Sequence, residues 1–264
     1  MVDHNGASWN YSDKVVLVVG GTAGIGLAIA ERLLASGAKL AVAARSQEGL
    51  DAFQSRSNGS AHCIRADVTD GVQIADMVKS TVAAYGRLDV AFNVAANIQL
   101  GEIVDLPESD WDSVQSGALR SVFLCLKHQA AQMIAQGHGG AIVNISSVSA
   151  HIPSRGAAAY ATAKAGVETL TRTAALELAS HAIRVNCLSP GLVATPFTGD
   201  MLSVPGVLDA YKQRIALERA AEPREMAGPA LFLGSSESSY ITGSTLVADG
   251  GWGLTGYPDL RPFF

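Results

Sequence analysis

The chain has 264 residues, 48% hydrophobic, 16% charged and including 27 glycines, which excludes a disordered chain and suits a single domain over residues 1–264 with one large core. A formal net charge of -5 shows none of the basic excess that nucleic acid or an anionic membrane would require, and no apolar run is long enough to span a bilayer. The expected partners are therefore small molecules, with no nucleic acid and no membrane.

The first residues, "MVDHNGASWNYSDK", form an N-terminal extension (1–13) without the apolar centre of a signal peptide, so a cytoplasmic protein is expected. The first strand, "KVVLVV" (14–19), runs into the glycine-rich turn "GGTAGIG" (20–26) and then a helix over 25–36. Gly20, Gly24 and Gly26 allow a tight turn, close approach to a phosphate and close helix packing. The free N–H groups of the helix start supply a positive dipole end, so a dinucleotide pyrophosphate is the predicted ligand. Thr22 and Ile25 belong to the same turn.

A second strand, "KLAVAA" (39–44), ends at Ala44 where NAD-selective folds carry an acidic residue, and Arg45 and Ser46 follow. With no carboxylate to repel a phosphate and a guanidinium to receive one, NADP is expected, with NAD as the alternative. A solvated loop arginine is the plainer reading of Arg45. After "HCIRA" (62–66), Asp67 is either an acceptor for the adenine amino group or a turn residue, with Val68 beside it. "LDVAFNV" (88–94) brings Asn93 and Ala95 to the same end of the sheet.

A long helical pattern over about 108–136 precedes "GAIVNIS" (140–146), and a second, over about 157–180, precedes "IRVNCLS" (183–189). Residues 195–217 break the strand–helix rhythm with proline and glycine beside apolar residues, as a substrate lid does. "STLVAD" (244–249) is the last strand, and 253–264 is a C-terminal tail. Strands that read as continuous apolar runs between helices signal a parallel sheet covered on both faces, a doubly wound α/β fold of three αβα layers. Cys63, Cys125 and Cys187 lie far apart in apolar elements as reduced thiols, the six histidines show no ligand-spaced pair, and no metal is expected.

"GGTAGIG", "NISS" (144–147), "YATAK" (160–164) and "SPGLVATP" (189–196), in this order, resemble the short-chain dehydrogenase/reductase family from about Lys14 to Trp252. The resemblance implies a Rossmann-type fold with seven parallel strands, a homotetramer, and hydride transfer between NAD(P) and a carbonyl or secondary alcohol. It makes Tyr160 the general acid/base, Lys164 its partner and Ser147 the serine that holds the substrate oxygen; Ser146 and Ser149 are weaker substitutes. A phenol of reference pKa near 10 is a poor base at neutral pH, and a nearby ammonium favours the phenolate. Pro190 and Gly191 would end the sixth strand at the nicotinamide, with Val193 and Thr195 on its carboxamide. Apolar lid residues, Phe197 and Met201 among them, suggest a medium-sized ketone or secondary alcohol. Gln99, His151 and Arg155 could each contact a polar group on it, or could be solvated loop residues.

Several positions depart from the family pattern. Val19 replaces the threonine that opens the glycine turn, and "NVAA" (93–96) replaces Asn-Asn-Ala-Gly, a repacking expected to leave the cofactor site intact. Ala118 stands where a fourth catalytic residue, an asparagine associated with a helix irregularity and a proton relay, is common. Gly117 could keep the helix deformable, and Ser116 or Gln115 could rebuild the relay. Two other readings remain: a dinucleotide-binding redox sensor or scaffold with weak or no catalysis, and a 3-oxoacyl-thioester reductase. The aromatic tail "DLRPFF", like the long helices, could dock on a partner subunit.

Overall fold

The computed structural model describes residues 9–258 and 260–263. Most of the N-terminal extension, together with Asp259 and Phe264 of the tail, lies outside the described residues. Seven strands, β1 (Val15–Val19), β2 (Lys39–Ala44), β3 (His62–Arg65), β4 (Val90–Asn93), β5 (Gly140–Ile145), β6 (Ile183–Pro190) and β7 (Thr245–Ala248), form one parallel sheet in the order β3-β2-β1-β4-β5-β6-β7. The helices are α1 (Gly24–Ala35), α2 (Gln47–Arg56), α3 (Gly71–Tyr85), α4 (Glu108–Gln115), α5 (Ser121–Gln136), α6 (Ala158–Leu178), α7 (Pro196–Ser203), α8 (Val207–Lys212) and α9 (Pro223–Gly234).

Side chains alternate between the two faces of a strand, and β1 shows what the apolar run VVLVV is for. Val16 and Val18 enter a core with Ile29 and Leu33 of α1, Phe53 of α2 and Leu231 of α9. Leu17 and Val19 enter a second core with Met77 of α3, Val122 of α5 and Val167 of α6. The Rossmann-type, three-layer arrangement follows from covering both faces of such strands. Local chemistry sets the helix limits: Asp70 caps α3 by accepting from the Val72 N–H at 2.8 Å, and Gly86, at φ +85°, ends it in the left-handed region.

The sheet order reverses between β1 and β4, so the loops after these strands diverge and open a crevice at the carboxyl ends. Below it an amide network ties the sheet centre to the helices. Asn93 Nδ2 donates to Gln129 Oε1 at 3.0 Å and to Asn144 Oδ1 at 2.9 Å, and Asn144 Nδ2 donates to Thr171 Oγ1 at 3.0 Å. All four residues are buried. Val94 packs on one core and Ala95 on the other, the apolar repacking expected of "NVAA".

The helix expected over 108–136 is interrupted. Between α4 and α5 lies a π-helical turn, Ser116–Arg120, in which Ser121 Oγ donates to the Gly117 carbonyl at 2.7 Å. The irregularity associated with an asparagine is therefore present with Ala118 in its place. Gly117 lets Asn97 pack against this turn, because a Cβ there would lie 2.3 Å from Asn97 Oδ1. The lid region folds as α7 and α8 over a small core of its own, Val148, Leu192, Val207, Tyr211, Ile215 and Trp252. The tail turns back onto this lid within the same chain: Tyr257 packs on Trp252 with ring centroids 4.4 Å apart, and Phe263 packs at Gly206.

Candidate active site

The crevice is a cleft of about 1220 Å³ bounded by the loops after β1, β2, β4, β5 and β6, by α7, and by the tail. At its base the chain leaves β1 through Gly20, whose φ of +87° suits glycine and where a Cβ would lie 2.7 Å from the Ala95 nitrogen. Gly24 and Ile25 line the cleft at the start of α1, whose N-cap residue, Ala23, offers no side chain to the first-turn N–H groups. Uncapped N–H groups at the positive end of a helix suit a phosphate. Gly26 does not line the cleft. A Cβ there would sit 2.0 Å from the Gly20 carbonyl oxygen, so its part is to let α1 close on the turn.

Beyond the turn, Thr22, Arg45, Ser46, Asp67 and Val68 gather at one end of the cleft. Ser46 caps α2, its Oγ accepting from the Gly49 N–H at 3.1 Å. The Asp67 carboxylate accepts from the Thr69 N–H at 2.9 Å and hydroxyl at 2.7 Å, and these bonds, with a smaller contribution from Arg45, hold its pKa below the usual value. Asp67 is thus a turn residue that also faces the cleft.

At the other end, Ser147, Tyr160 and Lys164 converge, although they come from the loop after β5 and from α6. Ser147 Oγ donates to Ser149 Oγ at 3.1 Å. The Lys164 ammonium is buried, donates to the Ile145 carbonyl at 2.8 Å, and lies 5.6 Å from the centre of the Tyr160 ring. Burial pushes the Tyr160 phenol above its ordinary pKa; Ser147 pulls it down and Tyr257 pushes it up. Burial also lowers Lys164 to about 8, with Cys187 acting weakly the other way. The ammonium is engaged with the Ile145 carbonyl and sits over the ring, and desolvation drives both residues toward neutrality.

The remaining expected positions separate into two groups. Ala95, Pro190, Gly191, Val193, Thr195, Phe197 and Met201 line the cleft, and the Phe197 ring lies 5.9 Å from that of Tyr160. Asn93, Gln99 and His151 do not line it. The Asn93 side chain is committed to the buried amide network, which corrects its assignment to the cofactor. Gln99 is exposed, and His151 Nε2 pairs with the buried Glu168 carboxylate at 2.9 Å, so neither is placed to meet a substrate. Arg155 is at the cleft wall, tied to Glu102 by two hydrogen bonds. Ser146 lines the cleft with Ser147, but its hydroxyl proton is spent on the Lys164 carbonyl at 3.0 Å. Gln115 Nε2 donates to the Ala159 carbonyl at 2.9 Å, bracing α6 next to Tyr160, while Ser116 lines the cleft.

Sequence reasoning missed the tail. Tyr257, Pro258, Leu260 and Arg261 all line the cleft. The available signal was the aromatic Tyr257 directly after Gly256, close to the family's last motif.

The chain matches a family model described as enoyl-(acyl carrier protein) reductase over residues 20–253. It is 39% identical over 247 residues to the 2,5-dichloro-2,5-cyclohexadiene-1,4-diol dehydrogenase of Sphingobium indicum, covering 91% of this chain and 97% of the relative. It is 37% identical over 244 residues to the cyclopentanol dehydrogenase of a Comamonas species, with the same two coverages of 91% and 97%. Among solved structures, a short-chain type dehydrogenase/reductase from Mycobacterium marinum superposes with a TM-score of 0.88 at 34% identity, covering 93% of this chain and 97% of that one.

Proposed function

The chain belongs to the short-chain dehydrogenase/reductase family and is an oxidoreductase of alcohol and carbonyl groups, and we propose that it transfers hydride between NADP(H) and a medium-sized, mostly apolar cyclic ketone or secondary alcohol. The observation that carries this reading is the convergence of Ser147, Tyr160 and Lys164 at one end of a cleft whose other end is the glycine turn and Arg45.

The residues fit a dinucleotide. The uncapped start of α1 and the close approach at Gly20 suit the pyrophosphate, and the long cleft reaches from there to Tyr160. Ala44 ends β2 without a carboxylate, and Arg45 beside it favours a 2'-phosphate. When bound, such a cofactor supplies the hydride, and in its oxidised form a positive charge.

The chain's own groups do the rest. Ser147 donates a hydrogen bond to the substrate oxygen and fixes its distance from Tyr160. In reduction the neutral phenol, held protonated by burial, gives its proton to the developing alkoxide. In oxidation it takes the proton back, and for that direction the cofactor's charge and Lys164 together stabilise the phenolate. Phe197 and Met201 of α7 exclude water from this end and present an apolar wall. A cyclic substrate suits that wall and matches what the two curated relatives act on by name. A protein that only bound dinucleotide would have no use for Ser147.

The reading extends to assembly and setting. A homotetramer built on α5 and α6 is supported by exposed Phe123 and Leu176 on these helices, whereas Val122 and Leu126 are consumed by the sheet. Three unpaired thiols fit a cytoplasmic setting.

The test follows absorbance of NADPH and of NADH with cyclopentanone, cyclohexanone, a linear ketone and a 3-oxoacyl thioester. Turnover of the cyclic ketones with preference for NADPH is expected. No turnover despite tight cofactor binding would remove the proposal, and preference for the thioester would replace it with the acyl reductase reading.

A further inference from the structure

Beside the reacting end of the cleft three hydroxyl groups stand in series. Ser147 Oγ donates to Ser149 Oγ at 3.1 Å and accepts from the Ser149 N–H at 3.2 Å. Ser149 Oγ lies 2.7 Å from the hydroxyl oxygen of Tyr257, 108 residues away in the chain. Ser147 and Tyr257 line the cleft, whereas Ser149 is buried and does not. The Tyr257 ring is held by Trp252, at 4.4 Å between ring centroids, and by Tyr211, at 6.3 Å. Both of these are buried, and Trp252 Nε1 donates to the Gly256 carbonyl at 2.9 Å, which fixes the turn that delivers Tyr257.

The direction of the series follows from its protons. Each hydroxyl has one proton to donate and lone pairs with which to accept. The Ser147 proton goes to Ser149, so one proton is left over once Ser149 and Tyr257 are bonded to each other. If Tyr257 donated, the spare proton would be that of Ser149, buried and without an acceptor, which is a costly arrangement. With Ser149 donating, the spare proton belongs to Tyr257, the member of the pair that lines the cleft. Burial holds the Tyr257 phenol above its ordinary pKa, so it keeps that proton at neutral pH. Phe197 and Met201 of the lid and Pro258 and Leu260 of the tail also line the cleft, and in such apolar surroundings a hydrogen bond is stronger than in water.

We propose that Tyr257 is a specificity-determining residue whose hydroxyl binds a second oxygen on the substrate, so that hydroxyketones and the corresponding diols are preferred to ketones and alcohols with a single oxygen. The proposal rests on the reductase reading for the identity of the first oxygen, the one held by Ser147 and Tyr160. When that oxygen arrives, the Ser147 proton turns to it, Ser149 still donates to Tyr257, and Tyr257 donates to the second oxygen. Ser147 and Tyr257 have a whole hydroxyl group between them. That span suits oxygens on carbons 1 and 3 or 1 and 4 of a six-membered ring, not on neighbouring carbons. A site with a donor waiting for an oxygen rejects the analogue that lacks it, because the donor is then left unpaired.

The experiment compares 3- and 4-hydroxycyclohexanone with 3- and 4-methylcyclohexanone, in which a methyl group of similar size replaces the hydroxyl. Wild type, Tyr257→Phe and Ser149→Ala are assayed with the better of NADPH and NADH. The readout is the ratio of kcat/KM for the hydroxy over the methyl ketone at the better ring position, in which general damage to the site cancels. Phenylalanine keeps the ring packing on Trp252, and the ratio is expected to be about 5- to 10-fold higher in wild type than in Tyr257→Phe. Equal ratios in the two proteins overturn the proposal. Ser149→Ala tests the direction of the series. A Tyr257 proton already in the cleft leaves the ratio within about twofold of wild type, whereas a proton spent on Ser149 is released by the substitution and raises the ratio severalfold, which overturns the proposal. Wild-type protein that turns over none of these ketones removes the reductase reading. The same ratio is then taken from dissociation constants in ligand-observed NMR titrations, and a ratio that Tyr257→Phe leaves unchanged overturns the proposal on its own.

Discussion

Replacing Lys164 with methionine is expected to make the protein more stable at neutral pH while removing its turnover. The ammonium is buried, and desolvation lowers its pKa from 10.5 to about 8. A pKa difference of that size makes the charged form in the folded state cost about 3 kcal/mol, since each tenfold change in proton affinity is about 1.4 kcal/mol. Against this, Lys164→Met strips the Ile145 carbonyl of the donor now at 2.8 Å, an unsatisfied acceptor worth about 1–2 kcal/mol. The net gain at pH 6.5 is then about 1–2 kcal/mol. The sign with pH follows from the depressed folded pKa. Below about 8 both folded and unfolded lysine are charged and the full penalty is present. Between about 8 and 10.5 the unfolded chain binds more protons than the folded one, so wild-type stability rises and the variant's advantage shrinks, to about zero near pH 9.5. Urea unfolding of both proteins at pH 6.5 and 9.5 measures this directly. A variant less stable than wild type at pH 6.5, or a difference independent of pH, would refute the assignment of a buried, desolvated ammonium.

Arg45→Ala removes the one guanidinium at the end of β2 that lines the cleft, and is expected to raise the KM for NADPH about 10- to 100-fold and leave that for NADH within about twofold. Equal effects on the two cofactors would refute the phosphate argument. Ala118→Asn tests whether the π-helical turn wants the family's asparagine. Ala118 is fully buried with Val114, Ala159 and Ala163, so the larger polar side chain is expected to cost about 1–3 kcal/mol in denaturant unfolding without raising kcat. A rise in kcat of tenfold or more would show that the relay is missing and not replaced.

What the sequence made legible and what it did not divide along physical lines. The strands could be read because a parallel strand covered on both faces must be apolar at every position, and VVLVV of β1 has no other use. The glycine turn could be read because φ +87° at Gly20 and the contact of Gly26 with the Gly20 carbonyl restrict residue type within seven positions of chain. Tyr160 and Lys164 could be read because one helical turn puts them on one face. Side-chain direction at strand ends was not legible. Asn93 ends β4 below the cleft, and its amide is claimed by Gln129 of α5 and by Asn144, partners 36 and 51 residues away, the second set opposite it by the register of β4 on β5.

The same distinction separates Gln99 and His151 from Tyr257. All three are polar residues near the site with no local pattern to fix their direction, and only long-range packing decides among them. Glu168, buried on α6, holds His151 away from the cleft, while Trp252 and Tyr211 hold Tyr257 in it. An aromatic cluster can do this without local sequence cues because ring packing is strong and indifferent to separation in the chain. Resemblance could supply Ser147, Tyr160 and Lys164, since they lie in motifs with set spacing. It was silent on the tail, where Tyr257, Pro258, Leu260 and Arg261 line the cleft. Ala118 leads to a related point: the π-helical turn is present with alanine at this position, so the irregularity does not require the amide.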